Sequence, residues 1–303
     1  MGKVNLRERI REGLFLLDGA MGTELMARGV EAGACHDYLN IESSETIEEI
    51  HESYIQAGSD GVITNTFGAN GIILRRHRLS EKVEQINNLA AQIARRAAGE
   101  EKYILGGIGP SGDFLQPLGD LQPEQLREAF AEQTRSLSAA GVDGIIIETM
   151  TGLDEISIAI EAVKSVCNLP VLALMSFDSV GWDFKTMMGV DVESAVSKIV
   201  SLGVDTVGFN CGKASLEEYA ELASRIVSAV KASGEDALIC AEPNAGKPEL
   251  VDGSTVYKVD AEDFAATAEK IYSAGVSIVG GCCGTGPAHI EAVAKRLGEH
   301  RQH

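Results

Sequence analysis

The sequence predicts an α/β protein closed into a (β/α)8 (TIM) barrel, folded as a single domain over residues 1–303. Three observations predict it. Short runs rich in Ile, Val and Leu alternate with helical patterns along the whole chain, as strands buried on both faces require. A weak repeat recurs: Ala57-Gly58-Ser59-Asp60, Ala140-Gly141-Val142-Asp143, Leu202-Gly203-Val204-Asp205 and Ala274-Gly275-Val276-Ser277 each lead into an apolar run. Polar residues and glycines gather at the C-terminal ends of these runs, where a barrel builds its site. A doubly wound open sheet is the alternative, and the Ala-Gly-x-Asp pattern alone would suit any helix handing over to a parallel strand.

The elements follow in order. Strands are expected at 14–18, 61–66, 103–108, 144–148, 170–177, 206–210, 237–242 and 277–282. Thr46 and Glu49 form a capping-box pair ahead of Ile47, Ile50 and Tyr54. Pro123 suits a first helical turn before Leu126, Phe130 and Leu137. Leu216, Tyr219, Leu222, Ala223, Ile226 and Val230 keep helical spacing. Gly58, Gly141, Gly203 and Gly275 stand where helices end before strands begin.

Composition narrows the function. A net charge of −19 repels phosphate backbones and anionic membranes, so nucleic acid is not expected as a partner. No apolar run is long enough to span a bilayer. The start, Met1 to Glu8, alternates charges without a signal-peptide core, and Leu6 stands where myristoylation wants Ser or Thr. A cytoplasmic location is expected. Six cysteines in 303 residues are no secreted disulfide scaffold, so they are free thiols, metal ligands or catalytic groups.

Cys211 ends strand six, and Cys282 and Cys283 end strand eight. In a small barrel these ends face one mouth. Three thiolates suit Zn²⁺, which prefers sulfur in a tetrahedron, and three protein ligands leave the fourth position for substrate. A buried or disulfide-forming vicinal pair with an unrelated third cysteine is the competing reading. Cys240 reads as core, Cys167 as barrel bottom, and Cys35 as a structural residue of the first long loop. Asp18 and Glu148 end strands one and four. They could be an acid–base pair, a cage for a substrate ammonium or, for Asp18 before Gly19, a loop brace. Gly107-Ile108-Gly109-Pro110-Ser111-Gly112 matches a dinucleotide-binding pattern, but Pro110 interrupts it and no helix start follows. His289 is expected at the surface of the last helix.

Leu17 to Leu25, Thr64 to Gly68, Glu148-Thr149-Met150, Pro243 to Gly246 and Gly280 to Thr285 together resemble the signatures of the homocysteine S-methyltransferase family, in that family's order and over essentially the whole chain. Within it the chain looks most like the homocysteine-binding module of cobalamin-dependent methionine synthases. The resemblance implies zinc on Cys211, Cys282 and Cys283, with Asn244 reaching the metal when substrate is absent. It implies that Asp18 and Glu148 hold the homocysteine amino group, with Thr66 near the substrate. Two loops depart from the family pattern. Cys211 is followed by Gly212-Lys213-Ala214 without proline, and the strand-five loop carries Trp182 and Lys185.

The expected reaction transfers a methyl group to the homocysteine thiol to form methionine. The chain carries no corrinoid-binding Asp-x-His-x-x-Gly segment, so methylcobalamin would arrive on a separate corrinoid protein or module. S-methylmethionine is the alternative small donor. The chain stops just after the eighth helix, which disfavours betaine, whose enzymes resemble this one but carry a long C-terminal arm. A zinc- or thiol-binding redox protein using the Cys282–Cys283 pair is the reading from another class.

Overall fold

A computed structural model describes residues 3–31, 33–251 and 254–301. Eight parallel strands line the barrel: β1 (Phe15–Leu16), β2 (Gly61–Ile63), β3 (Tyr103–Ile108), β4 (Gly144–Met150), β5 (Val171–Met175), β6 (Thr206–Asn210), β7 (Leu238–Glu242) and β8 (Ile278–Val279). Their order around the sheet is β1-β8-β7-β6-β5-β4-β3-β2. Between β1 and β2 the Asp60 amide donates to the Leu16 carbonyl at 2.7 Å, and the Ile63 amide donates to Asp18 Oδ2 at 3.0 Å. A side chain of the site thus helps to close the barrel.

Each strand is followed by a helix on the outside: α1 (Ser44–Gln56), α2 (Val83–Ala98), α3 (Pro123–Ala139), α4 (Leu153–Val166), α5 (Val192–Ser201), α6 (Leu216–Ser233), α7 (Ala261–Ala274) and α8 (Pro287–Arg296). The apolar stripes read from the sequence face the sheet. In α6, Tyr219, Leu222, Ala223, Ile226 and Val230 are all buried. Inside the barrel Phe15, Leu17, Leu105, Ile146, Leu172 and Leu174 pack into a separate core.

The repeated aspartates explain the barrel's lower end. Asp60, Asp143 and Asp205 each accept the backbone amide of a neighbouring strand: Leu16 at 2.9 Å, Ile104 at 2.8 Å and Val171 at 3.0 Å. A short helix, Leu6–Arg9, plugs this end. Leu6 and Ile10 enter the inner core, while Lys3 pairs with Asp143, Arg7 with Asp205 and Arg9 with Asp60. Ser277 replaces the aspartate in the fourth repeat.

All eight expected strands form, but the ladders of β1 and β8 are short. Past Val279, Gly280 and Gly281 turn toward the mouth, and past Leu17 the carboxylate of Asp18 replaces backbone as acceptor. The Thr46–Glu49 capping box is not formed. α1 begins at Ser44, placing both residues inside the first turns, and Ser43 at its cap makes no side-chain bond. A reciprocal box occurs instead at Ser215–Glu218, while ahead of α3, where Pro123 takes the first turn as expected, the Gln122 amide donates to Gln125 Oε1 at 3.1 Å. The dinucleotide-like glycines run into a loop, and α3 starts only at Pro123. His289 is not a plain surface residue: Nδ1 accepts from the Gly286 amide at 3.1 Å and Nε2 lies 3.0 Å from the Val259 carbonyl. No helix among the described residues is long and apolar enough to cross a membrane.

Candidate active site

The C-terminal strand ends surround a cavity of about 450 Å³. Cys211, Cys282 and Cys283 lie on its wall, with their three Sγ atoms within 4.8 Å of one another. Backbone contacts between strand ends bring them together. The Cys211 amide donates to the Glu242 carbonyl at 3.1 Å, and the Cys282 amide to the Pro243 carbonyl at 2.9 Å. Cys211 has φ 58° and Gly212 φ 82°. That turn sends the thiol inward, and a Cβ on Gly212 would overlap the Phe177 carbonyl, so only glycine fits there. Tyr219 Oη donates to the Cys211 and Gly212 carbonyls at 3.0 and 2.9 Å, locking the same turn from α6.

The thiols share charge. Hydrogen bonds from Cys282 and Cys283 pull the Cys211 thiol down to about 3, with further help from the Gly212 amide and the Asn244 side chain. The same bonding to Cys211 pushes Cys283 up to about 11 and Cys282 well above the ordinary thiol value. One thiolate held by two thiols is an arrangement a divalent cation would convert to three thiolates. Four sulfurs at about 2.3 Å around one zinc stand about 3.8 Å apart, so the cluster needs little rearrangement. Asn244 is buried beside it. Nδ2 donates to the Gly212 carbonyl at 2.8 Å, whereas Oδ1 has no partner and is free to act as a fourth ligand.

Asp18 and Glu148 also line the cavity. Asp18 is buried; Oδ2 receives the Ile63 amide and Oδ1 has no partner. It is therefore a brace and an open acceptor at once. Burial raises its carboxyl well above the usual range, against the pull of that amide. Burial, and secondly the Cys211 charge, raise Glu148 to about 8. Gly107 leaves room for it, since a Cβ there would meet Glu148 Oε1 at 2.9 Å. Thr66 lines the cavity, but its hydroxyl already donates to the Gly107 carbonyl at 2.7 Å and contacts Thr64 Oγ1 at 2.6 Å.

Glu242 is a third cavity carboxylate that the sequence reading left without a role. It is 2% exposed and its Oε1 has no partner. Burial, then the Glu148 and Asp18 charges, raise it well above the usual range. The signal was its place at a strand end, the same signal that singled out Glu148. No Lys or Arg among the described residues lines the cavity, so no cationic side chain offsets its three carboxyl groups. Cys35 reaches the cavity wall from the first loop, beside His36 and Asp37, while Cys240 is in the inner core and Cys167 caps α4 at the barrel's lower end.

The two departing loops meet at the rim. A hairpin of Asp178–Val180 and Asp183–Lys185 follows β5, with Trp182 fully exposed at its tip. The Lys213 amide donates to Asp178 Oδ1 at 2.8 Å and the Ser179 amide to the Lys213 carbonyl at 3.1 Å. These bonds tie the hairpin to the loop that follows Cys211.

The family pattern described as homocysteine S-methyltransferase matches residues 15–297. The chain belongs to the homocysteine S-methyltransferase family. It is 32% identical to the methionine synthase of Mycobacterium tuberculosis and 31% to that of Mycobacterium leprae, in each case over 96% of its length. It spans only about a quarter (25%) of those relatives. Among solved structures it resembles the homocysteine methyltransferase MmuM from Escherichia coli in its oxidized and metallated forms, each with TM-score 0.75 and 23% identity. These matches cover 93% and 94% of this chain and 96% of the other. A methyltransferase from Methanosarcina mazei matches at TM-score 0.62 and 12% identity, over 99% of both chains. At such identities the likeness is one of fold, and the fold is the barrel described above.

Proposed function

We propose that this chain is one homocysteine-binding barrel that methylates the thiol of homocysteine to give methionine, with zinc held by Cys211, Cys282 and Cys283. The observation that carries the proposal is the convergence of three thiols and three carboxylates on one cavity. When bound, zinc would supply the Lewis acidity that lowers the thiol's pKa, so that its proton is released to solvent and the sulfur stays nucleophilic near neutral pH. The chain's own residues do the rest. Glu148, and Asp18 through its open Oδ1, accept hydrogen bonds from the substrate ammonium. Thr66 shapes the wall beside it. Asn244, through its unpartnered Oδ1, would help the three cysteines hold the metal until the thiol arrives. The sulfur then attacks the methyl carbon in line with the donor's leaving group: the S–C bond forms as the donor–C bond breaks. Orientation in a closed pocket is the protein's main contribution.

A protein-borne methyl donor is favoured, a methylcorrinoid such as methylcobalamin on a separate chain or module. Apart from Val4, the exposed large apolar side chains among the described residues lie in the segments that follow the strands' C-terminal ends, Met26 on the helix Met21–Ala27 and the others in loops and hairpins. Phe67, Phe114, Leu118, Trp182, Met187 and Leu250 are examples. An apolar rim around a catalytic mouth marks a docking surface more than a small-molecule entrance. The acidic charge and free thiols fit a cytoplasmic enzyme. S-methylmethionine is the alternative donor. Incubating the zinc-loaded chain and homocysteine with methylcobalamin, a methylcorrinoid protein or S-methylmethionine, and measuring methionine, tests the assignment. Methionine from the corrinoid donors supports it. Methionine from S-methylmethionine alone replaces the donor, and none from any of them removes the proposed activity.

A further inference from the structure

Asn210 ends β6 one residue before Cys211 and is completely buried. Its carboxamide reaches two other strand ends. Oδ1 accepts the Thr149 amide at 2.7 Å, and Nδ2 donates to Thr149 Oγ1 at 2.8 Å. Nδ2 also donates to Cys282 Sγ at 3.8 Å. One planar group therefore joins β4 next to Glu148, β6 next to Cys211, and β8 at Cys282.

Thr149 is sterically unusual. Its φ is 59°, in the left-handed region that a β-branched residue rarely enters. Such a conformation persists only where the surroundings over-determine it. Here the two Asn210 bonds do so, fixing both backbone amide and hydroxyl. The distortion coincides with a break in the β4–β5 register between Ile147 and Met150. That break is where Glu148 turns its carboxyl into the cavity. The third bond falls on a sulfur of the cysteine cluster, where an N–H donor would orient the metal-bound thiolate and draw electron density from it.

We propose that Asn210 is a positioning residue that couples the substrate-reading carboxylate of Glu148 to the cysteine metal centre. It does so by clamping Thr149 with one edge of its amide while donating to Cys282 Sγ. The proposal rests on the metal reading above. It differs from that reading in assigning one residue simultaneous control of metal-site electronics and substrate affinity. A residue that only supported the backbone of Thr149 would leave the metal untouched.

The test uses cobalt(II) in place of zinc in the full chain, so that sulfur-to-cobalt charge-transfer absorption reports the thiolates directly. Asn210→Asp keeps an acceptor for the Thr149 amide but removes both N–H donors; Asn210→Ala removes everything. Both variants should shift the charge-transfer band and release metal to a chelator about 10–100-fold faster. Asn210→Ala should also weaken homocysteine binding about tenfold. Thr149→Gly suits the positive φ and keeps the backbone amide for Asn210 Oδ1, but removes the side chain and with it the hydroxyl bond. It should weaken homocysteine binding while leaving band and metal release unchanged. Normal cobalt uptake by the wild type, with unshifted bands and unchanged release in both Asn210 variants, overturns this proposal alone. Wild-type protein that takes up no cobalt overturns the metal reading, and this one with it.

Discussion

Replacing Glu148 by glutamine removes the capacity to ionise and almost nothing else. The side chain has room because Gly107 faces it, and the amide is nearly isosteric with the carboxyl. In the empty cavity burial raises Glu148 to about 8, so at pH 7 it is mostly protonated. An arriving ammonium favours the ionised form, and binding must release that proton. The Glu148 contribution to homocysteine affinity should therefore rise with pH up to about 8 and then level, on top of the pH dependence that the substrate thiol brings. The charge-assisted hydrogen bond gained is worth roughly 1.5–3 kcal/mol, or about one to two decades in Kd. Glu148→Gln should lose that affinity, remove that part of the pH dependence and release about one proton fewer per homocysteine bound. Calorimetry in buffers of different ionisation enthalpy measures both quantities. The control ligand is 4-mercaptobutanoate, which keeps the thiol and carboxylate but lacks the amino group; its affinity should hardly change. Equal losses for the two ligands, with unchanged proton release, would refute the reasoning and make Glu148 a support of the β4 end.

Three further outcomes follow from the same physics. Glu242 has a raised carboxyl value, so its ionisation weakens the fold as pH rises above the unfolded value of 4.5. Glu242→Gln should melt like the wild type near pH 4 and higher at pH 8, at roughly 2–4 °C per kcal/mol recovered; equal destabilisation at both would contradict this. His51 is buried with both ring nitrogens unpartnered, and burial lowers it from 6.5 to about 4. Its neutral form favours the fold above pH 6.5, and that advantage is lost as pH falls to about 4, by about 1.4 kcal/mol per pH unit. His51→Leu should remove this acid sensitivity in denaturant titrations across that range. Metal analysis of Cys211→Ala/Cys282→Ala should show near zero zinc against about one per wild-type chain, and normal content in the double variant would sink the ligand assignment.

The barrel was legible because parallel strands buried on both faces leave apolar runs that polar loops interrupt. Cys211, Cys282, Asp18 and Glu148 were legible for a related reason. A strand end in this fold faces one mouth, so position alone brings such residues together. What was not legible depends on contacts between distant elements. Glu242 ends its strand as visibly as Glu148 does, yet spacing cannot show that its Oε1 is left without a partner. Asn210 reads as a plain strand terminus until its amide is seen across 61 residues at Thr149 and 72 at Cys282. The Thr46–Glu49 pair has the right spacing for a cap, but the helix starts earlier, at Ser44. The unusual turn at Cys211 is equally invisible, since its φ is imposed by the Glu242 and Tyr219 contacts.

The central claim is that three cysteines hold zinc with one position open for the substrate sulfur. X-ray absorption at the zinc edge counts those neighbours directly. The zinc-loaded chain should show three sulfurs at about 2.3 Å with one lighter N or O neighbour, the latter from Asn244. Adding homocysteine should replace the light neighbour with a fourth sulfur. A zinc shell that stays at three sulfurs under saturating homocysteine, or that never contains three, would contradict the account.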